Sequence, residues 1–178
     1  MSFSQSSTEV VVIRYTDGQS FPLRRACVNV LKQTYQNWQM VVVNDGGGRD
    51  AVESVLRSFS SEFRGRLKKL HLPRPVGMVA SLNFAILTSD SDYLVIHGAD
   101  DSWDPGFLLE RVEYLKDPRH DAYGGVTCSE RAGLSSSFLF RRSVLDTIGL
   151  LNPRLASGDD PAFNARFFAH SQVGFISR

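Results

Sequence analysis

Acids stand in this chain where apolar runs stop. Tyr93 to Ile96 is a short apolar stretch, and Asp100 and Asp101 follow it side by side before Ser-Trp-Asp-Pro105. Adjacent carboxylates repel unless positive charge sits beside them. A divalent cation is the economical partner, because such an ion takes one or two protein carboxylates and completes its shell with water and phosphate oxygens. The same residues also fit a solvated acidic turn, with Asp104 as helix cap and Pro105 as first helical residue. A second run, Trp38 to Val43, breaks into Asn44-Asp-Gly-Gly-Gly48. Glycines there can take positive φ and admit another molecule against the backbone, though a plain turn fits equally. Near the C-terminus Asp159 and Asp160 precede Pro161, the pattern of a helix cap followed by proline. His97 reads as a satisfied strand-end histidine, and His71, His120 and His170 lack metal-ligand spacing. Arg141 and Arg142 read as a solvated pair beside a helix.

Elements must hold these residues in place. Val10-Val-Val-Ile13 is β-branched throughout and predicts a buried strand, with Arg14 to Phe21 as its exit loop. Leu23, Cys27, Val30 and Leu31 then mark one face of a helix. Trp38 to Val43 is a second strand, and Asp50 is placed to cap a helix with Val52, Val55, Leu56 and Phe59 inward. Leu67 to Leu72 predicts a third strand, Met78 to Ile86 a third helix, and Tyr93 to Ile96 a fourth strand. A helix from Pro105 to near Pro118 follows. Strand and helix in this rhythm predict an α/β fold with a mostly parallel central sheet flanked by helices. Farther on, Tyr123 to Cys128, Ser137 to Phe140 and Val173 to Ile176 are strand-like, with short helices after Ser143 and from Pro161.

The bulk numbers bound the answer. With 178 residues, 42% of them hydrophobic, the chain can bury one sizeable core. A disordered lead-in over residues 1–9 and a single domain over 10–178 are expected. Lys plus Arg number 20 against 19 Asp plus Glu, which excludes a polybasic footprint for nucleic acid. Cys27 and Cys128 have neither metal spacing nor disulfide density, so a reducing, cytoplasmic setting is expected. No apolar run has the length of a membrane span.

Four features in order carry a resemblance. They are the β-branched first strand, Gln33-Thr-Tyr-Gln-Asn-Trp38 leading into Val41-Val-Val-Asn-Asp-Gly46, the edge Asp100-Asp101-Ser-Trp-Asp-Pro105, and Gly158-Asp-Asp-Pro-Ala-Phe-Asn-Ala-Arg166. Together they resemble the family 2 inverting glycosyltransferases of the GT-A fold, from about Val10 onward. The resemblance implies a nucleotide-diphospho-sugar transferase that moves a sugar, from a UDP-sugar by preference, to a hydroxyl acceptor on a glycan, a lipid-linked carrier or a small molecule. It implies that Asp45 pairs with the base and Gly46 lies on the nucleotide, that Asn83 lies near the sugar nucleotide, and that Asp100 and Asp101 hold Mn²⁺ or Mg²⁺ against the diphosphate, with Asp100 also on the nucleotide. It makes Asp160 the base that takes the acceptor's proton, with Asp159 beside it.

The departures from the family pattern are specific. Arg14-Tyr-Thr-Asp17 stands where relatives read Pro-Thr-Tyr-Asn, so Tyr15 and Thr16 are both candidates to touch the nucleotide. Gly98 replaces the first acid of the Asp-x-Asp triplet, leaving Asp100 as direct ligand, and Asp159 replaces a common Glu. The chain stops soon after Arg166, where many relatives continue into acceptor-binding and membrane-associated segments. A truncated piece and a minimal member are both open, as is peripheral association with the inner face of the membrane through segments outside this sequence. Two rival readings stand beside the transferase: an idle nucleotide-sugar binding module, and a sugar-phosphate nucleotidyltransferase. The absence of a basic, Gly-rich phosphate loop after the first strand speaks against the latter. Oligomeric state is not legible.

Overall fold

A computed structural model describes residues 8–128, 137–154 and 161–176. Seven strands form one sheet: β1 (Val10–Thr16), β2 (Trp38–Asp45), β3 (Leu67–Leu72), β4 (Tyr93–Ile96), β5 (Tyr123–Thr127), β6 (Leu139–Arg141) and β7 (Gln172–Phe175). Their order is β3-β2-β1-β4-β6-β5-β7. All neighbours are parallel except β6, which runs antiparallel to both β4 and β5. Seven helices cover the faces: α1 (Ser20–Leu31), α2 (Arg49–Arg57), α3 (Ser60–Phe63), α4 (Met78–Leu87), α5 (Phe107–Lys116), α6 (Val144–Ile148) and α7 (Pro161–His170), counted among the described residues.

The β-branched runs follow from burial on both faces. Val10, Val12, Met40, Val42 and Val95 pack under α1, α2 and α5, while Val11, Ile13, Val41, Val43 and Leu94 pack under α4, α6 and α7. A strand with no solvated face has no place for alternating polar residues. The mostly parallel α/β architecture expected from the rhythm is present, and β3 and β4 have the predicted bounds.

Several local expectations need correcting. β1 runs on to Thr16, paired with Asn44, so Arg14 to Thr16 belong to the strand and α1 begins at Ser20. A charged residue read as a loop is here a buried one: Arg14 is 5% exposed. α5 begins at Phe107, because the Pro105 carbonyl is taken by the Thr34 N–H at 2.8 Å and the Phe107 N–H donates to the Asp104 carbonyl. Asp104 and Pro105 therefore sit in a turn before the helix. Gly48 holds the cap position of α2, with Asp50 inside its first turn and making no side-chain cap. Of the expected lead-in, residues 1–7 lie outside the described residues, but Glu9 is fastened: its carboxylate takes Tyr35, Asn37 and Lys116, and its carbonyl takes the Tyr93 N–H at 2.9 Å. Arg141 and Arg142 are half-buried and pinned rather than a freely solvated pair. Arg141 donates to the Tyr123 and Leu115 carbonyls, Arg142 to the Ile86 carbonyl. No described helix is long and apolar enough to cross a membrane.

Candidate active site

The carboxyl ends of β1, β2 and β4 meet at one edge of the sheet, the position where open α/β sheets keep ligands. Tyr15 and Thr16 end β1, Asp45 ends β2, and the stretch from His97 to Asp101 leaves β4. A cleft of about 230 Å³ opens there, lined among others by Arg14, Tyr15, Thr16, Asp17, His97 and Gly98.

Asp45 is 5% exposed. Its Oδ1 accepts from the Val76 N–H at 2.7 Å, and its Oδ2 accepts from the Gly77 N–H at 2.9 Å and the Tyr15 hydroxyl at 3.4 Å. The carboxylate thereby closes the turn into α4, where a negative charge also meets the positive end of the helix dipole. Tyr15 is held protonated, its pKa raised by burial and then by the Asp45 charge. Thr16 accepts from the Gly18 N–H at 3.2 Å and shapes the turn out of β1.

The glycine run after Asp45 is packed by the chain itself. A Cβ on Gly47 would lie 2.0 Å from the Asp17 carbonyl oxygen, and Gly46, at φ 72°, has Pro75 at 2.6 Å from where its Cβ would be. The close approach expected of another molecule at Gly46 is made by Pro75, and only glycine fits.

The acidic edge is held from below by α1. The Asn29 side chain accepts the Trp103 N–H at 2.8 Å, donates to the Trp103 carbonyl at 3.0 Å and accepts from His97 Nε2 at 3.1 Å. Gln33 donates to the Asp104 carbonyl at 2.9 Å and accepts the Leu108 N–H at 3.0 Å. His97 leans on Trp103, which stacks on Phe107 at 4.2 Å between ring centroids. His97 is thus the satisfied strand-end residue that the sequence suggested. Asn29 was not singled out by sequence reasoning, since an Asn on a helix carries no local signal; Gln33 opened a quoted motif, but its purpose was not legible.

Asp101 turns back on its own loop, accepting the Gly98 N–H. A Cβ at position 98 would lie 2.7 Å from that Asp101 oxygen, so the glycine in place of an acid is what allows the contact. Asp100 is exposed and Asp101 half-buried. No group of three His, Cys, Asp or Glu side chains gathers among the described residues. Two neighbouring carboxylates, one of them exposed, nevertheless fit an ion such as Mg²⁺ that draws its remaining ligands from water and phosphate.

Arg14 lies beneath this edge, donating to the His97 carbonyl at 3.4 Å while its Nε finds no partner. Burial pulls its pKa down, opposed first by Asp101, then by Cys27, Asp17 and Asp100. Cys27 itself is pushed up to about 12 by burial and is no nucleophile.

Other predicted residues lie elsewhere. Asn83 is buried, exchanging hydrogen bonds with the Leu151 backbone at 2.8 and 3.2 Å, so neither end of its amide is turned to the cleft. Arg166 holds the neighbouring Ile148 and Leu150 carbonyls, each at 2.8 Å. Asp159 and Asp160 lie outside the described residues.

Comparison with known proteins gives one family. The model of glycosyl transferase family 2 matches residues 10–150. EpsE of Bacillus subtilis strain 168 is 24% identical over 98 residues, covering 55% of this chain and 35% of EpsE. The bifunctional glycosyltransferase pgtA of Dictyostelium discoideum is 29% identical over 92 residues, covering 49% of this chain and 12% of pgtA. This chain thus spans well under half the length of these curated relatives. Among solved structures, the mannosyltransferase PcManGT of Pyrobaculum calidifontis, in complex with GDP-Man and Mn²⁺, superposes with a TM-score of 0.80 at 20% identity over 97% of this chain and 56% of that one. S. aureus TarS 1–349 in complex with UDP-GlcNAc does so with a TM-score of 0.75 at 16% identity, over 95% of this chain and 56% of that one. At these identities the likeness is one of fold, and that fold is GT-A.

Proposed function

The chain belongs to glycosyl transferase family 2, and from that premise we propose that it moves a hexosyl group from a nucleotide diphosphate sugar to a hydroxyl acceptor with inversion. The observation that carries the reading is the meeting of Tyr15, Asp45, Asp100 and Asp101 at the carboxyl ends of three adjacent parallel strands. A UDP-linked donor is the working choice, supported by the UDP-GlcNAc bound to TarS; the GDP-Man of PcManGT makes GDP the comparison.

Each residue has a physical task in this reading. An ionised carboxylate offers about four lone-pair positions. Asp45 uses three of them, on Val76, Gly77 and Tyr15, which leaves one for a base N–H. Asp100 and Asp101 would hold Mn²⁺ or Mg²⁺, and a bound ion would supply positive charge to the diphosphate as it leaves. Asn29 and Gln33 keep that acidic edge fixed before the donor arrives, so little reorganisation is needed during the reaction. Asp160, with Asp159 as the next candidate, takes the acceptor's proton. The acceptor oxygen, its proton passing to that one base, attacks the anomeric carbon from the side opposite the departing nucleotide diphosphate, and a single displacement of this kind gives inversion.

Transfer from a panel of UDP- and GDP-sugars, read as nucleotide release with and without hydroxyl acceptors, tests the reading. Asn caps a helix about as well as Asp wherever one is needed, so Asp160→Asn should melt and bind donor like the parent while transfer falls about 10²–10⁴-fold. Transfer at the parental rate would remove Asp160 from the chemistry. Donor binding without release or transfer by the parent would instead favour an idle binding module.

A further inference from the structure

Arg14 is a cation in an unusual place. It is 95% buried at the end of a central strand, yet it lines the cleft. Of its five N–H donors, one reaches the His97 carbonyl at 3.4 Å, while Nε is buried without a partner. Among the described residues no carboxylate comes within 4.0 Å of its guanidinium. A buried cation that lacks both an ion pair and a full set of acceptors is costly, and a chain keeps one where an anion arrives later. The anion that arrives here, on the reading above, is a diphosphate. The residue also follows Val10-Val-Val-Ile13 directly and is buried with them, a position where packing alone would favour an aliphatic side chain.

We propose that Arg14 is a resident cation of the donor site, meeting part of the diphosphate charge that a divalent ion would otherwise meet alone. A guanidinium suits the task because its planar donors match phosphate oxygens and it stays charged when buried. The acids at the edge then have two roles. Asp100 and Asp101 recruit a metal ion, and Asp101 and Asp17, whose fields act on Arg14, offset part of the cost of burying its charge while the site is empty. Donor binding should in consequence survive chelation in weakened form. The inference rests on the donor-binding reading, and its test separates the two.

Calorimetric titrations of the parent, Arg14→Met and Arg14→Lys with UDP, GDP, uridine and guanosine, each in EDTA and in Mn²⁺, provide it. The parent should bind a nucleoside diphosphate in EDTA. Arg14→Met should lose roughly tenfold to hundredfold of that metal-free affinity, the worth of a charge-assisted hydrogen bond, and leave the matching nucleoside unaffected. Arg14→Lys should retain most of it. Because Met removes an unpaired buried charge at similar volume, the variant should melt at or above the parental temperature. A purely structural arginine gives the opposite pattern: a lower melting temperature and equal losses for nucleoside and diphosphate. That pattern, or Arg14→Met binding diphosphate like the parent in EDTA, overturns the inference while leaving the family reading intact. A parent that binds no nucleoside diphosphate even with Mn²⁺ overturns both.

Discussion

Asp45 has a structural task and a proposed chemical one, and substitution can separate them. Replaced by Asn, position 45 keeps one acceptor oxygen, while the new NH₂ must face either the Val76 or the Gly77 N–H. An opposed buried donor costs about 1–3 kcal/mol. Asp45→Asn is therefore expected to melt measurably lower than the parent and to bind uridine more weakly whether or not Mn²⁺ is present; parental melting would contradict the hydrogen bonds described. Gly98 offers the converse experiment. A Cβ there displaces only the tip of the Asp101 side chain, and Gly98 does not have a positive φ, so Gly98→Ala should change stability by under about 1 kcal/mol. Freed from the Gly98 N–H, Asp101 presents both oxygens to an ion. Mn²⁺ should then half-saturate the site at a lower concentration, and a titration giving no change would place Asp101 outside the metal's reach.

At the scale of elements, the acidic edge works because α1 holds it. Asn29→Ala removes three hydrogen bonds to His97 and Trp103 at once. A loss of about 1–3 kcal/mol in stability is expected, together with a larger loss in Mn²⁺-dependent than in Mn²⁺-free nucleotide affinity. Urea unfolding and calorimetry would check the two parts, and equal losses would mean that α1 does not position the acids. His97 makes this junction sensitive to pH. Burial lowers its pKa most, with Arg14 adding to it, against the opposing Gly98 carbonyl and Asp101 charge; the net shift is downward. The unfolded chain then takes up the proton first as acid is added. Stability is full above about pH 6.5 and falls below it, toward the depressed folded value. Part of this slope should vanish in His97→Gln, and an unchanged slope would remove His97 as its source. The strands at this junction were legible because apolar β-branched runs admit one reading. The fastening was not, because Asn29 and Gln33 act on residues 68 or more positions away. Arg14 was misread for the related reason that charge ordinarily marks a loop, whereas here the strand carries it into the interior.

Across the whole molecule, the half of the sheet that holds the site is the half that was easiest to read. β1 to β4 are parallel; β1, β2 and β4 are buried on both faces, and β3, at the sheet edge, is half-buried with Leu67, Leu70 and Leu72 as its apolar positions, so where each begins and the strand rhythm follow from the residues alone. In the other half β6 is three residues long and antiparallel, inserted between β4 and β5, an order that local patterns do not encode. Asp45, Asp100 and Asp101 stand out as candidates because each follows an apolar run, while Asp159 and Asp160 are candidates through the family resemblance and the proline that follows them. The clefts and clamps around them were missed because they exist only once distant strand ends meet. This division predicts where a bound donor acts. A nucleotide that binds the folded state alone adds about 2.7 kcal/mol at a hundredfold excess over Kd, and this is the gain expected of UDP or GDP with Mn²⁺ on the proposed function. For a chain of 178 residues that is a rise in melting temperature of roughly 5–10 °C. Hydrogen exchange should slow at the ends of β1 and β2, at the Val76 and Gly77 amides and from Gly98 to Asp101, which line the cleft or hold the acids proposed to meet the donor. β5 and β7, at the far side of the sheet, should exchange as before. Protection spread evenly over all seven strands would indicate global stabilisation with no defined site at the β1 and β4 ends. An unchanged melting temperature with both nucleotides at millimolar concentration would remove nucleotide binding from this chain.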